Sequence, residues 1–285
     1  MDPKVLTIVV VAWLALLVWA GRRWPVNPDI PAKAYGINLA AGLVQMALFI
    51  PVAAVVGGLA GQVSQWTGVH FSLVRAADIG IGVAGVDAVL RVLVLTFVPL
   101  LAYDLWFAAS HRLEHFVPAL WDMHKVHHAD RWMNPFTIVR DNFMQTIWRA
   151  FFPVLTLGLF IDMDFREGGE AAIYSQTFLY LWSALCHSNI RIELPWLDGI
   201  LTTPQYHRLH HSVEPQHADC NFADIFPVFD MVLGRYHRPR PGEFPLTGLI
   251  SGERIDGVGR IIVAPFLAWA GRLRAAFTGG KPGQA

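Results

Sequence analysis

Residues 99–128 read PLLAYDLWFAASHRLEHFVPALWDMHKVHH, and this stretch decides the fold. Its first half closes a long apolar run. Its second half carries two histidine groups, His111/His115 and His124/His127/His128. An α-helix turns by about 100° per residue, so side chains three and four apart share a face. H-x-x-x-H thus presents two imidazoles on one stripe, and H-x-x-H-H presents three. His115 and His124 would sit about 13 Å apart along a straight helix, on nearly opposite sides, so a straight helix cannot aim both groups at one point. Pro118 lies between them, and proline breaks or kinks a helix. The reading is two helical segments folded at Pro118, with their histidines converging. Downstream, His207-Arg-Leu-His210-His211 repeats the H-x-x-H-H spacing, and His187 ends another apolar run.

Working outward, the composition is that of a membrane protein. Hydrophobic residues make up 54% of the chain and charged residues 15%, against about a quarter charged in a soluble domain. Net charge is zero, which removes any basic field for nucleic acid. The two cysteines, Cys186 and Cys220, exclude a disulfide framework or a thiolate-rich metal site and read as small buried residues, Cys186 lying beside His187.

Residues 5–20 are apolar and followed by Arg22 and Arg23, the reverse of a secretory signal, so an uncleaved transmembrane helix is expected. Residues 37–59 are long enough to span a bilayer. The run 79–109 exceeds one straight crossing, places Asp87 and Arg91 where they can pair, and leads into His111. Residues 143–161 and 171–186, joined by polar residues 162–170, make a transmembrane hairpin. Residues 261–277, with Arg272 and Arg274, are expected to lie along the membrane surface rather than cross it. Positive charges at Arg22, Arg23, Lys33, Arg112, Lys125, Arg131 and Arg140 put all nine histidines between 111 and 211 on the cytoplasmic face. The expected fold is all-α, a polytopic transmembrane bundle with a cytoplasmic helical cap carrying a histidine-rich dimetal site. Its parts are N-terminal helices and a loop over 1–78, the histidine-bearing domain over 79–240, and a tail over 241–285.

Imidazole is costly to bury unpaired, and its neutral nitrogen is the commonest protein metal ligand. Nine imidazoles exceed what one ion holds, whereas two ions with four or five nitrogens each fit the number. Residue type alone leaves iron, copper, zinc and nickel open.

These motifs resemble the fatty acid hydroxylase/sterol desaturase superfamily of membrane di-iron enzymes, over roughly residues 85–237. The order H-x3-H, H-x-x-H-H, a lone histidine and H-x-x-H-H is met by His111/His115, His124/His127/His128, His187 and His207/His210/His211. Asp104, Trp121-Asp122, Met133-Asn134, Thr137, Arg140, His187-Ser-Asn-Ile and Pro204 are similar in placement to the family's flanking residues. Asp219-Cys-Asn-Phe, Phe229-Asp230 and Gly234-Arg-Tyr236 resemble its closing segment, with Ala223 at a customary glycine and Phe229 at a customary tryptophan. The resemblance implies that the nine histidines hold two iron ions. It also implies O2 as co-substrate and hydroxylation of an unactivated C–H bond of a bilayer lipid (fatty acyl, sterol or related). Desaturation by the same site is the runner-up.

Carboxylates that orient ligating histidines are expected at Asp104, Asp122 and Asp219, with Glu114 and Asp230 behind them. Trp106, Trp121 and Trp132 read as membrane-interface anchors. His70, His217 and His237 read as non-ligands, His217 as a solvent-exposed loop residue. Glu114 also completes H-x-x-E-H, the inverted zinc-hydrolase signature, but that reading leaves six clustered histidines idle. Haem needs single axial histidines rather than stripes, and a non-enzymatic metal store or transporter would spread its ligands along a path. Electrons would come from a separate ferredoxin or cytochrome b5-like donor docking at Arg112, Lys125, Arg131 and Arg208. A bacterial inner membrane is the expected location, or the endoplasmic reticulum in a eukaryote.

Overall fold

The computed structural model describes residues 3–67, 80–149 and 168–278. Among these the chain is helical, and its extended pairing is limited to the isolated bridges Pro25–Ile190 and Ser212–Thr247. The long helices are α1 (Pro3–Arg23), α2 (Ala32–Thr67), α3 (Ala84–Phe116), α5 (Gly168–Cys186) and α8 (Val258–Thr278), with the shorter α4 (Pro118–His128), α6 (Pro204–His210) and α7 (Val228–Val232) among them. The expected hairpin partner at 143–161 is helical over 143–149, and the rest of it lies outside the described residues, as does His70.

Among the described residues four helices are long and apolar enough to cross a membrane: Lys4–Arg23, Ala32–Val52, Gly85–Phe116 and Val258–Thr278. The last was expected to lie on the surface; its 21 residues have the length and hydropathy of a span. α3 presents exposed Leu93, Phe97, Leu101 and Leu105 outward, a surface suited to lipid rather than water.

The break at Pro118 is realised. Val117 is extended (φ −96°, ψ 113°), capping α3 and starting α4 with proline in its first turn. Proline disfavours the helical region for the residue before it and suits a helix start, so this single position turns the chain. α4 then packs against both α3 and α8, while α5 packs on α1, α3 and α6. Asp87 accepts the backbone N–H groups of Ile81 and Gly82, tying the approach to α3.

Two apolar clusters are buried, one including Val126 of α4 and the other Ala184 of α5. One joins Ala41, Val126, Ala129, Ile255 and Ile261, and the other joins Leu17, Ala20, Ala184 and Ile190. A buried polar network fixes the turn after α4. Asp130 accepts from Asn38 Nδ2 (2.6 Å) and Thr137 Oγ1 (2.7 Å). Arg140 donates to Asn38 Oδ1, Val126 O and Ile255 O, stitching α2, α4 and the tail together. Buried polar groups persist only when satisfied this way.

Candidate metal centre

The nine histidines gather into two adjoining groups. His111 and His115 from α3, His124 and His128 from α4 and His210 from α6 form the first. His127 from α4, His187 just past α5, His207 from α6 and His211 at its end form the second. H-x-x-H-H divides its own members: His124 and His128 face one group and His127 the other, so α4 lies along the seam. The ring of His128 stacks on that of His211 across that seam, with centroids 4.4 Å apart.

Within each group the Nε2 atoms crowd together. His124 Nε2 lies 2.8 Å from that of His111 and 2.9 Å from that of His128, and His115 lies 3.2 Å from His128. In the second group, His187 Nε2 is 3.2 Å from His127 and 2.9 Å from His207, which is 3.2 Å from His211.

The opposite ring nitrogens show which tautomer several of these rings adopt. His111 Nδ1 donates to Phe222 O (2.8 Å), His210 Nδ1 to Cys220 O (2.7 Å) and His187 Nδ1 to Ser183 O (2.8 Å). A carbonyl only accepts, so the proton sits on Nδ1 and a bare Nε2 lone pair points inward. His115 Nδ1 donates to Asp219 Oδ1 at 3.1 Å. His127 Nδ1 lies 3.3 Å from Asp141 Oδ1, and His124 Nδ1 lies 2.7 Å from Gln145 Nε2 and 3.3 Å from Glu114 Oε2. Burial holds His124, His128, His207, His210 and His211 well below the usual imidazole pKa and brings His187 to about 3.

Neutral, buried lone pairs converging at these distances repel one another unless a cation lies between them. Ligands about 2.1 Å from one ion sit roughly 3 Å from their neighbours, the spacing seen here. His210 Nε2 has no hydrogen-bond partner, as a ligand atom requires. The donor set therefore fits two metal ions with nitrogen ligands.

Of the carboxylates expected to orient ligands, Asp219 is hydrogen-bonded to His115. Asp104 instead accepts the backbone N–H groups of Asp224, Ile225 and Phe226, fixing the segment that presents Phe222 O to His111. Asp230 accepts from Phe222 N, Ala223 N and the Tyr206 hydroxyl, holding the same segment from its other side. Asp122 pairs with Arg272 of α8 (2.6 Å). Glu114 is fully buried and forms a two-pronged pair with Arg149 (3.0 and 2.7 Å).

Asp141, Gln145 and Arg149 escaped the sequence reading. They follow the second histidine group by more than a helix length, and only the fold brings them under α4. The carbonyls of Ser183, Cys220 and Phe222 had no side-chain signal at all. Positive φ at Asp219 (56°) and Asn221 (59°) curls that segment so that its carboxylate and carbonyls face the histidines; Asp and Asn tolerate this conformation best among side-chain-bearing residues.

Three further expectations change. Trp121 is no interface anchor: its ring packs on His115 and His128 at 5.0 and 5.5 Å. Arg208 leaves the basic docking patch, because it is buried and its Nε donates to Pro245 O; Lys125 is paired with Glu253. His217 is buried rather than solvent-exposed.

A cavity of about 390 Å³ opens onto the first group between His115, His128, His210 and Trp121, with Lys125, Asp219, Glu253 and Arg272 at its polar wall. Phe222 covers the group from another side, its ring 5.0 Å from His115.

Fold and site together define a helical membrane protein with two adjoining, buried histidine clusters suited to metal. The model of the fatty acid hydroxylase family matches residues 96–235, the segment that carries all nine histidines. The chain is 30% identical to alkylglycerol monooxygenase of Danio rerio over 138 residues, 48% of this chain and 29% of the relative. It is 28% identical to ornithine lipid hydroxylase OlsE of Rhizobium tropici, covering 55% of this chain and 46% of that one. With human cholesterol 25-hydroxylase the identity is 31%, over 47% of this chain and 48% of the relative. The chain thus spans under half the length of each of these relatives. No solved structure matches it.

Proposed function

We propose that the protein is a membrane-bound di-iron oxygenase that uses O2 and external electrons to hydroxylate an unactivated C–H bond of a bilayer lipid. The observation that supports it best is the division of nine histidines, eight of them buried, into groups of five and four whose ring nitrogens lie within 4.8 Å of one another. The relatives' names, a monooxygenase and two hydroxylases acting on lipids, agree with that chemistry.

In this reading His111, His115, His124, His128 and His210 hold one iron, and His127, His187, His207 and His211 hold the other. Bound iron would supply O2 activation and the oxidising power for C–H cleavage, which side chains lack. The chain's own residues do the rest. Asp219 and the carbonyls of Phe222, Cys220 and Ser183 keep protons on Nδ1 and lone pairs on Nε2, while the Asp141 carboxylate lies beside His127 Nδ1. Phe222 and Trp121 shield the first group from bulk water. The Glu114–Arg149 pair neutralises charge beside His124 without giving it a proton. The exposed apolar flank of α3 leads lipid towards His111 and His115, while the polar cavity beside Lys125 and Arg272 serves as the aqueous approach for O2, protons and electrons. A separate ferredoxin or cytochrome b5-like donor supplies the electrons on the cytoplasmic side.

Glu114 argues against the zinc-hydrolase alternative. A general base must reach a metal-bound water, yet its carboxylate is held by Arg149 on the far side of the His124 ring. Desaturation stays the runner-up, since it needs the same ligands and differs only in substrate placement.

Elemental analysis of detergent-purified protein from iron-replete cells tests the reading. About two irons per chain are expected, lost when His127 and His128 are both changed to alanine, with O2-dependent lipid hydroxylation in the wild type alone. Wild-type protein without iron, or iron retained in full by that variant, would overturn it.

A further inference from the structure

His217, His237 and Glu243 form a third group of potential ligands whose coordinating atoms all lie within 4.8 Å of one another. It belongs to neither histidine cluster. His217 Nε2 lies 3.4 Å from Glu243 Oε1. The rings of His217 and His237 meet with centroids 4.8 Å apart at 85°. His115 and His128, inside the first cluster, meet at 4.8 Å and 86°, so the third group repeats the ring geometry of a ligand pair.

Each member is held from behind. His217 is 2% exposed, with Nδ1 3.0 Å from Ser212 Oγ. Glu243 uses Oε2 to accept the Arg240 backbone N–H at 2.8 Å, leaving Oε1 turned towards His217. His237 is fixed through its backbone, whose N–H and carbonyl both bond the Asn221 side chain (2.7 and 3.0 Å). Gln205 Nε2 reaches the carbonyls of Arg240 and Glu243 and closes the loop. Ligating residues braced by such outer contacts are the mark of a built metal site. In the tautomer that donates from Nδ1 to Ser212 Oγ, His217 turns a bare Nε2 lone pair on a carboxylate oxygen, an arrangement that a cation between them stabilises.

We propose that His217, His237 and Glu243 bind a zinc-type divalent ion, separate from the nine-histidine centre, with water completing its coordination. Two imidazoles and one carboxylate with an open position are an established zinc ligand set. Its role follows from where the chain runs next. Cys220 donates to His217 O, and the same short segment supplies Asp219 to His115, Cys220 O to His210 and Phe222 O to His111. An ion at this site would clamp the 237–243 loop onto the segment that orients three ligands of the first cluster.

The test is metal content of the intact, detergent-purified chain, comparing wild type with His237→Asn and Glu243→Gln. Both changes spare the backbone bonds that hold the loop. About one zinc per chain should be present in the wild type and absent from both variants, with the metal of the nine-histidine centre unchanged. Equal zinc in all three proteins would overturn the proposal and leave a His217–Glu243 ion pair. If a variant fails to fold, cobalt titration of iron-loaded wild type decides. Visible bands of four-coordinate cobalt that zinc displaces would uphold the site, and their absence would sink it.

Discussion

At the scale of single residues, the centre depends on where each imidazole keeps its one proton. Asp219 and Asp141 serve different groups, the first at His115 and the second beside His127. Hydrogen bonding to His115 holds the Asp219 carboxyl below its usual pKa, so it stays a charged acceptor at neutral pH. Asp219→Asn should loosen metal in the first group and Asp141→Asn in the second, each by about 10–100-fold in affinity. Timed chelation of the iron-loaded protein reads this directly, with one fast-released and one slow-released ion in each variant. Loss of both ions at one rate in either variant would show that these carboxylates do not act separately. The residue types and spacings of all nine histidines were legible in the sequence, because a helix face is a local property. Asp141, Gln145 and Arg149 were not, since no local rule links them to α4.

At the scale of elements, the closing segment 219–226 works as a bracket between α3 and α6. Asp104 on α3 takes three of its backbone N–H groups, and Asp230 at α7 takes two more. Asp104→Asn exchanges one acceptor oxygen for a donor facing the Phe226 N–H. That change should cost about 1–3 kcal/mol, the penalty of a buried unsatisfied group. The thermal midpoint should fall, and His111 should lose the fixed carbonyl that sets its tautomer, so metal occupancy should fall with it. An unchanged midpoint would mean that the bracket has another support. The sequence placed Asp104 near the histidines but assigned it to a ligand. Its real partners are backbone groups more than a hundred residues away, which side-chain patterns do not reveal. Pro118 shows the opposite case: its ring restricts Val117 wherever the chain goes, so the fold between α3 and α4 could be read from one residue.

At the scale of the whole molecule, burying so many neutral imidazoles makes stability depend on pH. The unfolded chain takes up protons as pH falls through about 6.5, while the native metal-free protein does not, because burial depresses these pKa values and His187 waits until about 3. Stability is therefore full above 6.5 and lost as pH falls towards 3, by up to about 1.4 kcal/mol per pH unit for each such histidine. Melting of chelated protein between about pH 7.5 and 5.5 should show a steep decline, and metal-loaded protein a shallower one, since bound cations favour the neutral ligands. A flat profile for the chelated protein would contradict the buried, neutral state of the clusters.

The sequence by itself determined the helices, the break at Pro118, the membrane character and the identity of the nine clustered histidines. All of these follow from composition, periodicity and the stiffness of one ring, which act within a few residues. Only the tertiary structure decided how the nine divide, with His127 parting from His124 and His128. It also placed Trp121 against the centre, buried Arg208 and brought His217 to His237 and Glu243. Those outcomes depend on which helices pack together, and packing is settled by apolar burial and polar satisfaction across the whole chain.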